Sequence, residues 1–335
     1  MPVKEKRKMK RHWCAIVSLC FAAFPAIAQM PASISRMDNS SDQSKDVIDS
    51  FFSKQNLQTT SNFSRVDAAQ LAGSSLYQDN ALVDLPPLPS LDDKAAHKEA
   101  LRLIGLLRNH IPHYTLYTPE KRKRWITLAR QETKKAGIKI NRPQILVVVD
   151  RNPKVQALCL ILAFPQGHSP WMVLGGDRVS TGKKGRKLYY ITPTGVFINS
   201  TERLGYRAQG TKNKYGIRGN GIKGMRVWDF GWQWAEKGWL PNHEKGQIRL
   251  EMHATDPDYL EARLGHTASE GCVRISAAMN RFIDQHGLID ALYLQAATKD
   301  KRFRSVLSKQ QEPSLIAGDA LVVVDSSDMN VERQS

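Results

Sequence analysis

The sequence predicts a mainly β fold with some α, and three observations carry that prediction. Residues 145–149 and 155–164 are apolar and rich in β-branched side chains, and Asp150-Arg151-Asn152-Pro153 between them is a turn, so the pair reads as a hairpin. Further short strand-like runs at 171–174 and 189–191 alternate with Gly- and Pro-containing turns, the spacing of a β-sandwich or barrel-like domain. Ahead of them, residues 90–140 hold two amphipathic segments that read as a short helical region.

Taken in order, the chain begins with a basic stretch (Lys4, Lys6, Arg7, Lys8, Lys10, Arg11). An apolar run at 13–27 follows, too short to cross a bilayer, and ends in Ala26-Ile27-Ala28. This is the pattern of a secretory signal peptide over residues 1–28, and it predicts an exported protein of the periplasm or cell envelope. Residues 29–89 are rich in Ser, Asp, Asn and Gln, closed by Pro86, Pro87 and Pro89, and read as a flexible leader or linker. The first helix is expected from a Ser90 cap to about Asn109, the second from a Thr118 cap with Pro119 in first position and Gly137 after its end. A catalytic-type β domain is expected over 141–297, and a loosely ordered polar tail over 298–335 with one apolar patch at 320–324.

The formal net charge is +17 over 335 residues. The first 28 residues carry six Lys or Arg against one acid, so the remainder is about +12. In an exported protein this disfavours nucleic acid as partner and favours an anionic wall polymer or membrane face. Beyond the first 28 residues the cysteines are Cys159, in an apolar strand-like run, and Cys272, in a polar Gly-containing turn. They read as two free thiols, the first inert in the core and the second a candidate for reactivity.

Residues 205–239 hold eight glycines, four tryptophans and the bases Arg207, Lys212, Lys214, Arg218, Lys223 and Arg226. Two readings stand. One is a surface loop covering a core edge. The other is a substrate-binding or lid loop in which Trp228, Trp232 and Arg226 grip the ligand through aromatic faces and a cation. Residues 247–254 resume strand alternation, with Ile248, Leu250 and Met252 on one face and Arg249, Glu251 and His253 on the other. Nineteen residues after His253 comes Cys272, inside Ser269-Glu270-Gly271-Cys272-Val273-Arg274. An imidazole can take the proton of a thiol and make it a nucleophile, and a glycine beside the thiol lets backbone N–H groups approach a reacting carbonyl. His97, His110 and His113 have no acid or cysteine at ligand spacing, so no metal and no cofactor is implied.

His253, fifteen intervening residues, Ser269, one residue, then Gly271-Cys272 resembles the signature of the L,D-transpeptidases of the YkuD fold. Val179-Ser180-Thr181-Gly182 and Thr192-Pro193-Thr194-Gly195-Val196-Phe197 resemble that family's upstream strand-turn motifs, in the same order. The resemblance covers roughly residues 144–297. It implies a YkuD-like β-sandwich and acyl transfer on peptidoglycan stem peptides, with Cys272 as nucleophile and His253 as base. It also implies oxyanion or supporting roles for Gly271, Ser269 and Arg274. The acceptor would be a second stem, a lipoprotein lysine or water, the last giving a carboxypeptidase. The chain departs from the family at Glu270, where a second histidine is usual. Rival readings are a sortase-like or protein-directed cysteine enzyme, disfavoured by the His–Cys spacing, and a catalytically silent wall-binding module.

Overall fold

The computed structural model describes residues 88–327; the expected signal peptide and most of the leader lie outside them. Ten strands form one curled mixed sheet, flanked by helices. The strands are β1 (Gln144–Asp150), β2 (Ala157–Ala163), β3 (Met172–Ser180), β4 (Tyr190–Ile191), β5 (Gly195–Ile198), β6 (Tyr206–Arg207), β7 (Arg226–Lys237), β8 (Lys245–Ala254), β9 (Val273–Ile275) and β10 (Ala320–Val324). Their order is β4-β7-β8-β9-β3-β2-β1-β10-β5, with β6 on β7. The curl brings distant members of this order face to face: the rings of Phe197 on β5 and Phe230 on β7 have centroids 6.4 Å apart.

The helices are α1 (Asp93–His110), α2 (Pro119–Lys135), α3 (Ala277–Gln285), α4 (Ala291–Ala296) and α5 (Lys301–Val306). The cap of α1 is Asp92, not Ser90: its carboxylate accepts from the Ala95 N–H at 2.7 Å. Thr118 caps α2, and Pro119 takes the first turn, where its missing N–H costs nothing. Inside the curl, Leu103 and Leu107 of α1 and Met279, Phe282 and Ile283 of α3 pack on Val147, Leu158, Trp228, Leu250 and Val273. On the other side of the β1–β2 hairpin, Trp125, Leu128 and Ala129 of α2 cover Leu146, Val148, Cys159 and Ile161. Both faces of the hairpin are therefore covered, which is why its sequence is a continuous apolar run rather than an alternation.

Two expectations are corrected. Over residues 299–327 the chain is not a loose polar tail. It forms α5 and then β10, which lies parallel to β1, with Leu146 level with Ala320 and Asp150 level with Val324, and antiparallel to β5. All five residues of β10 are buried, so the isolated apolar patch is an interior strand. Residues 205–239 are not a single loop either: their second half is the long strand β7. No helix among the described residues is long and apolar enough to cross a membrane.

Leu321→Ala removes a fully buried side chain from an interior strand and is expected to cost ~2–5 kcal/mol in urea unfolding. Leu315→Ala, at a half-exposed position nearby in the chain, is expected to stay within about 0.5 kcal/mol.

Candidate active site

The site is built on the outer face of β7, β8 and β9. Along β8, Leu250 and Met252 enter the core, so Arg249, Glu251 and His253 face outward. β9 runs parallel to β8, with Met252 level with Val273 and His253 level with Arg274. Val273 and Ile275 enter the core, which turns Cys272 and Arg274 to the outer face beside His253. Continuing the register one step back places Cys272 level with Glu251. Cys272 and His253 are thus diagonal neighbours on adjacent strands, about 7–8 Å apart between backbones. β7 adds Asp229, level with Glu251, and Trp232, level with Arg249 across a bulge.

The turn that carries the thiol is clamped by the two upstream motifs. Thr181 C=O accepts from the Ala268 and Ser269 N–H groups, both at 3.0 Å, and the Lys183 N–H donates to Ser269 C=O at 2.9 Å. The Thr192 hydroxyl donates to Gly271 C=O at 2.7 Å and accepts from the Gly182 N–H at 2.9 Å, joining the two motifs and the turn through one buried oxygen. Gly182 is required by this closeness, since a Cβ there would lie 2.0 Å from Tyr190 C=O. Gly271 is required by its φ of +138°, which L side chains rarely adopt.

Ser269 is fully buried and serves the turn. Its hydroxyl donates to Cys272 C=O at 2.6 Å and accepts from the Gly271 N–H at 3.2 Å. The Gly271 N–H, expected to line an oxyanion hole, is therefore engaged within the turn. Arg274 is buried, and its Nη1 donates to Ala268 C=O at 2.9 Å. Burial lowers its pKa, and the neighbouring Glu270 carboxylate opposes that fall. The Glu270 charge thus has a guanidinium beside it.

His253 is only 5% exposed, and its Nδ1–H donates to the Ala254 carbonyl at 2.8 Å, which leaves Nε2 as the acceptor. Burial, and secondarily the Arg274 guanidinium, push its pKa down to about 4. The Cys272 thiol is half-buried, donates to Arg249 C=O at 3.6 Å, and has its pKa pushed up to about 12 by burial and then by the Glu251 charge. The resting pair is therefore a neutral imidazole and a protonated thiol, not a thiolate–imidazolium pair. Cys159 is fully buried, and burial puts its thiol well above the ordinary range; both cysteines are free thiols.

Two of the three expected ligand-gripping side chains are corrected. Trp228 and Arg226 are 0% exposed. Arg226 pairs with Asp290 at 3.3 Å and lies over the rings of Trp228 and Tyr293, while the Trp228 indole N–H donates to the same carboxylate at 3.1 Å. They brace the core and cannot meet a ligand. Trp232 is 55% exposed, and Trp234 beside it 61%. Strand register puts both on the outer face that carries Cys272.

Sequence reasoning gave no role to three members of this face, Glu251, Asp229 and Tyr206. Glu251 accepts from the Tyr206 hydroxyl at 3.1 Å, and Asp229, nearly fully buried, takes the Arg249 guanidinium. Burial, and then the nearby Asp229 charge, raise the Glu251 carboxyl to about 7. The alternation of β8 did place Glu251 beside His253. Nothing local marked Asp229 or Tyr206, because their strands lay in the segment read as a loop. Among the described residues, no group of three or more His, Cys, Asp or Glu is arranged to hold a metal ion. A pocket lined by Leu88, Arg142, Leu294, Leu315 and Ala317 shares no residue with this face.

Thr192→Val leaves the Gly182 N–H and Gly271 C=O without their shared partner. It is expected to cost ~1–3 kcal/mol in chemical unfolding and to slow every reaction of Cys272. The folded chain keeps His253 neutral, whereas the unfolded chain protonates it below about 6.5. His253 therefore makes the fold lose up to about 3 kcal/mol as pH falls from about 6.5 to about 4, and nothing further below. Urea midpoints across that range, with those of His253→Gln subtracted, measure the loss.

No protein-family model matches the chain, and no curated protein matches it.

Proposed function

We propose that this chain is a cysteine-dependent L,D-transpeptidase of the YkuD type that acts on peptidoglycan tetrapeptide stems after export to the cell envelope. The observation that carries the reading is the Cys272 turn. The residues that resemble the family's three motifs are the same residues that clamp this turn, and they leave a half-buried thiol on the face of His253. A signature met by chance has no reason to assemble in this way.

In this reading Cys272 Sγ attacks the carbonyl between the third and fourth stem residues, and the thiol proton leaves to a base on the same face, the role that the resemblance gives to His253. The C–N bond breaks, D-alanine departs with the proton, and a thioester remains. An amine of a second stem or of a lipoprotein lysine resolves it, or water does. Trp232 and Trp234 offer exposed aromatic faces on the side of the sheet where the substrate would lie, and the positive charge of the chain suits an anionic wall polymer or membrane face.

A second reading is favoured by one observation: the thiol rests protonated on a carbonyl and has no imidazolium beside it. It is that of a wall-binding module without catalysis.

Incubation with purified muropeptides followed by mass spectrometry separates the outcomes. Cross-linked dimers identify a transpeptidase, trimmed tripeptides a carboxypeptidase, and unchanged input with retained binding a module. For the enzyme, Cys272→Ala is expected to lose all product and all covalent adduct; full product from that variant overturns the reading.

A further inference from the structure

We propose that the outward face of α2 docks the exported chain on the anionic face of a phospholipid bilayer. The two N-terminal helices lie outside the segment that resembles the transpeptidases, and the chemistry at Cys272 gives them no role. α2 (Pro119–Lys135) carries seven Lys or Arg against two acids, Glu120 and Glu132. Its apolar side chains Trp125, Leu128 and Ala129 are committed to the sheet, where they cover Leu146, Val148, Cys159 and Ile161. On the opposite side Lys123, Arg130 and Lys134 are exposed and recur at i, i+7 and i+11. That spacing sets them within about 40° of one line along the helix and spreads them over about 16 Å. Lys121, Arg122 and Lys135 are exposed at the two ends, and Lys139 extends the row past the helix.

Little on this face offsets the charge. Glu120 is occupied at the helix start by its own backbone N–H and the Thr118 hydroxyl, and Glu132 is taken by Lys135 at 3.6 Å. Among the described residues, Lys121, Lys123, Arg130 and Lys134 form no ion pair with an acid. A face that only keeps a protein soluble mixes both signs. The row is also held rigid: the Arg130 guanidinium lies over the Trp171 ring at 5.0 Å, and Arg124 Nη2 donates to Ser326 C=O at 2.7 Å. A straight row of cations on a fixed helix complements a plane of negative headgroups. Leu116, 56% exposed just before the Thr118 cap, adds an apolar side chain next to it in the chain. Because the apolar face of α2 is already buried in the fold, the helix cannot insert as an amphipathic anchor does. Attachment is therefore electrostatic, peripheral and reversible by salt. Docking through α2 uses no residue of the face that β7, β8 and β9 build around Cys272. It holds whether or not Cys272 is an acyl-transfer nucleophile.

The test is co-sedimentation of residues 29–335, the chain expected after signal cleavage with every described residue kept, with lipid vesicles. One set is phosphatidylcholine alone, the other phosphatidylcholine with about one third phosphatidylglycerol. Near about 0.1 M salt the chain is expected to bind the anionic vesicles and not the neutral ones. It is expected to leave them at about 1 M salt, where charges are screened within about 3 Å. Each Lys or Arg near such a face is worth about fivefold in binding, so Lys123→Gln with Lys134→Gln is expected to weaken it about 25-fold. Gln keeps the helix, and an unchanged urea midpoint confirms it. Lys212→Gln with Lys214→Gln makes the same change of net charge in the exposed segment between β6 and β7, and is expected to stay within about threefold. Equal loss in the two variants overturns the proposal, because attraction then follows net charge and not α2. Full binding by the α2 variant, binding that resists about 1 M salt, or no binding of the parent also overturns it. So does an α2 variant that loses purified peptidoglycan sacculi but keeps the vesicles, which makes the partner a wall polymer. None of these outcomes bears on Cys272, whose reading stands or falls with the muropeptide products.

Discussion

The parallel pairing of β8 with β9 is the constraint on which the rest of the site depends. Parallel strands cannot be joined by a tight turn, so residues 255–272 must travel back along the sheet before β9 can begin. That return path is the Cys272 turn and its approach. The pairing then sets which side chains share the outer face, because alternation on both strands is tied to Leu250, Met252, Val273 and Ile275 in the core. A slip of one residue on either strand would turn Cys272 or His253 into the core and turn a core side chain to the outer face. The chemistry of the face is therefore protected by the hydrophobic packing beneath it.

The same arrangement explains the resting protonation states. Arg274, His253, Cys272 and Glu251 are crowded together and partly withdrawn from water, so each group is pushed toward its neutral form or toward its neighbour. Burial is the main cause of all three shifts; the Arg274 guanidinium then lowers the histidine further, the Glu251 charge raises the thiol, and the Asp229 charge raises the Glu251 carboxyl. An exposed face would not produce these effects.

Glu270 has a local explanation in this setting. Its backbone carbonyl accepts from the Tyr190 N–H at 3.0 Å, which ties the turn to β4, and its side chain lies within the field of Arg274. An acid at this position is accommodated because the buried Arg274 cation, four residues on, lies close enough to feel its charge. The two residues form a charge and its countercharge.

The sequence by itself determined the alternation of β8, the cap of α2, the buried character of β1 and β2, and the pairing of a histidine with a Gly-Cys turn. These are local properties, written in periods of two or in turn residues within a few positions of one another. Tertiary structure alone decided that residues 320–324 form an interior strand, since their partners β1 and β5 lie more than a hundred residues earlier. It also decided that Trp228 and Arg226 brace Asp290 in the core while Trp232 and Trp234, a few residues on, remain exposed; the bulge in β7 between them resets the register. Glu251 stood in the alternation from the start, but its place beside Cys272 depends on the register of β9. Residue types and spacing within one segment fix what can be read locally, whereas a site made from four strands is set by which strands meet.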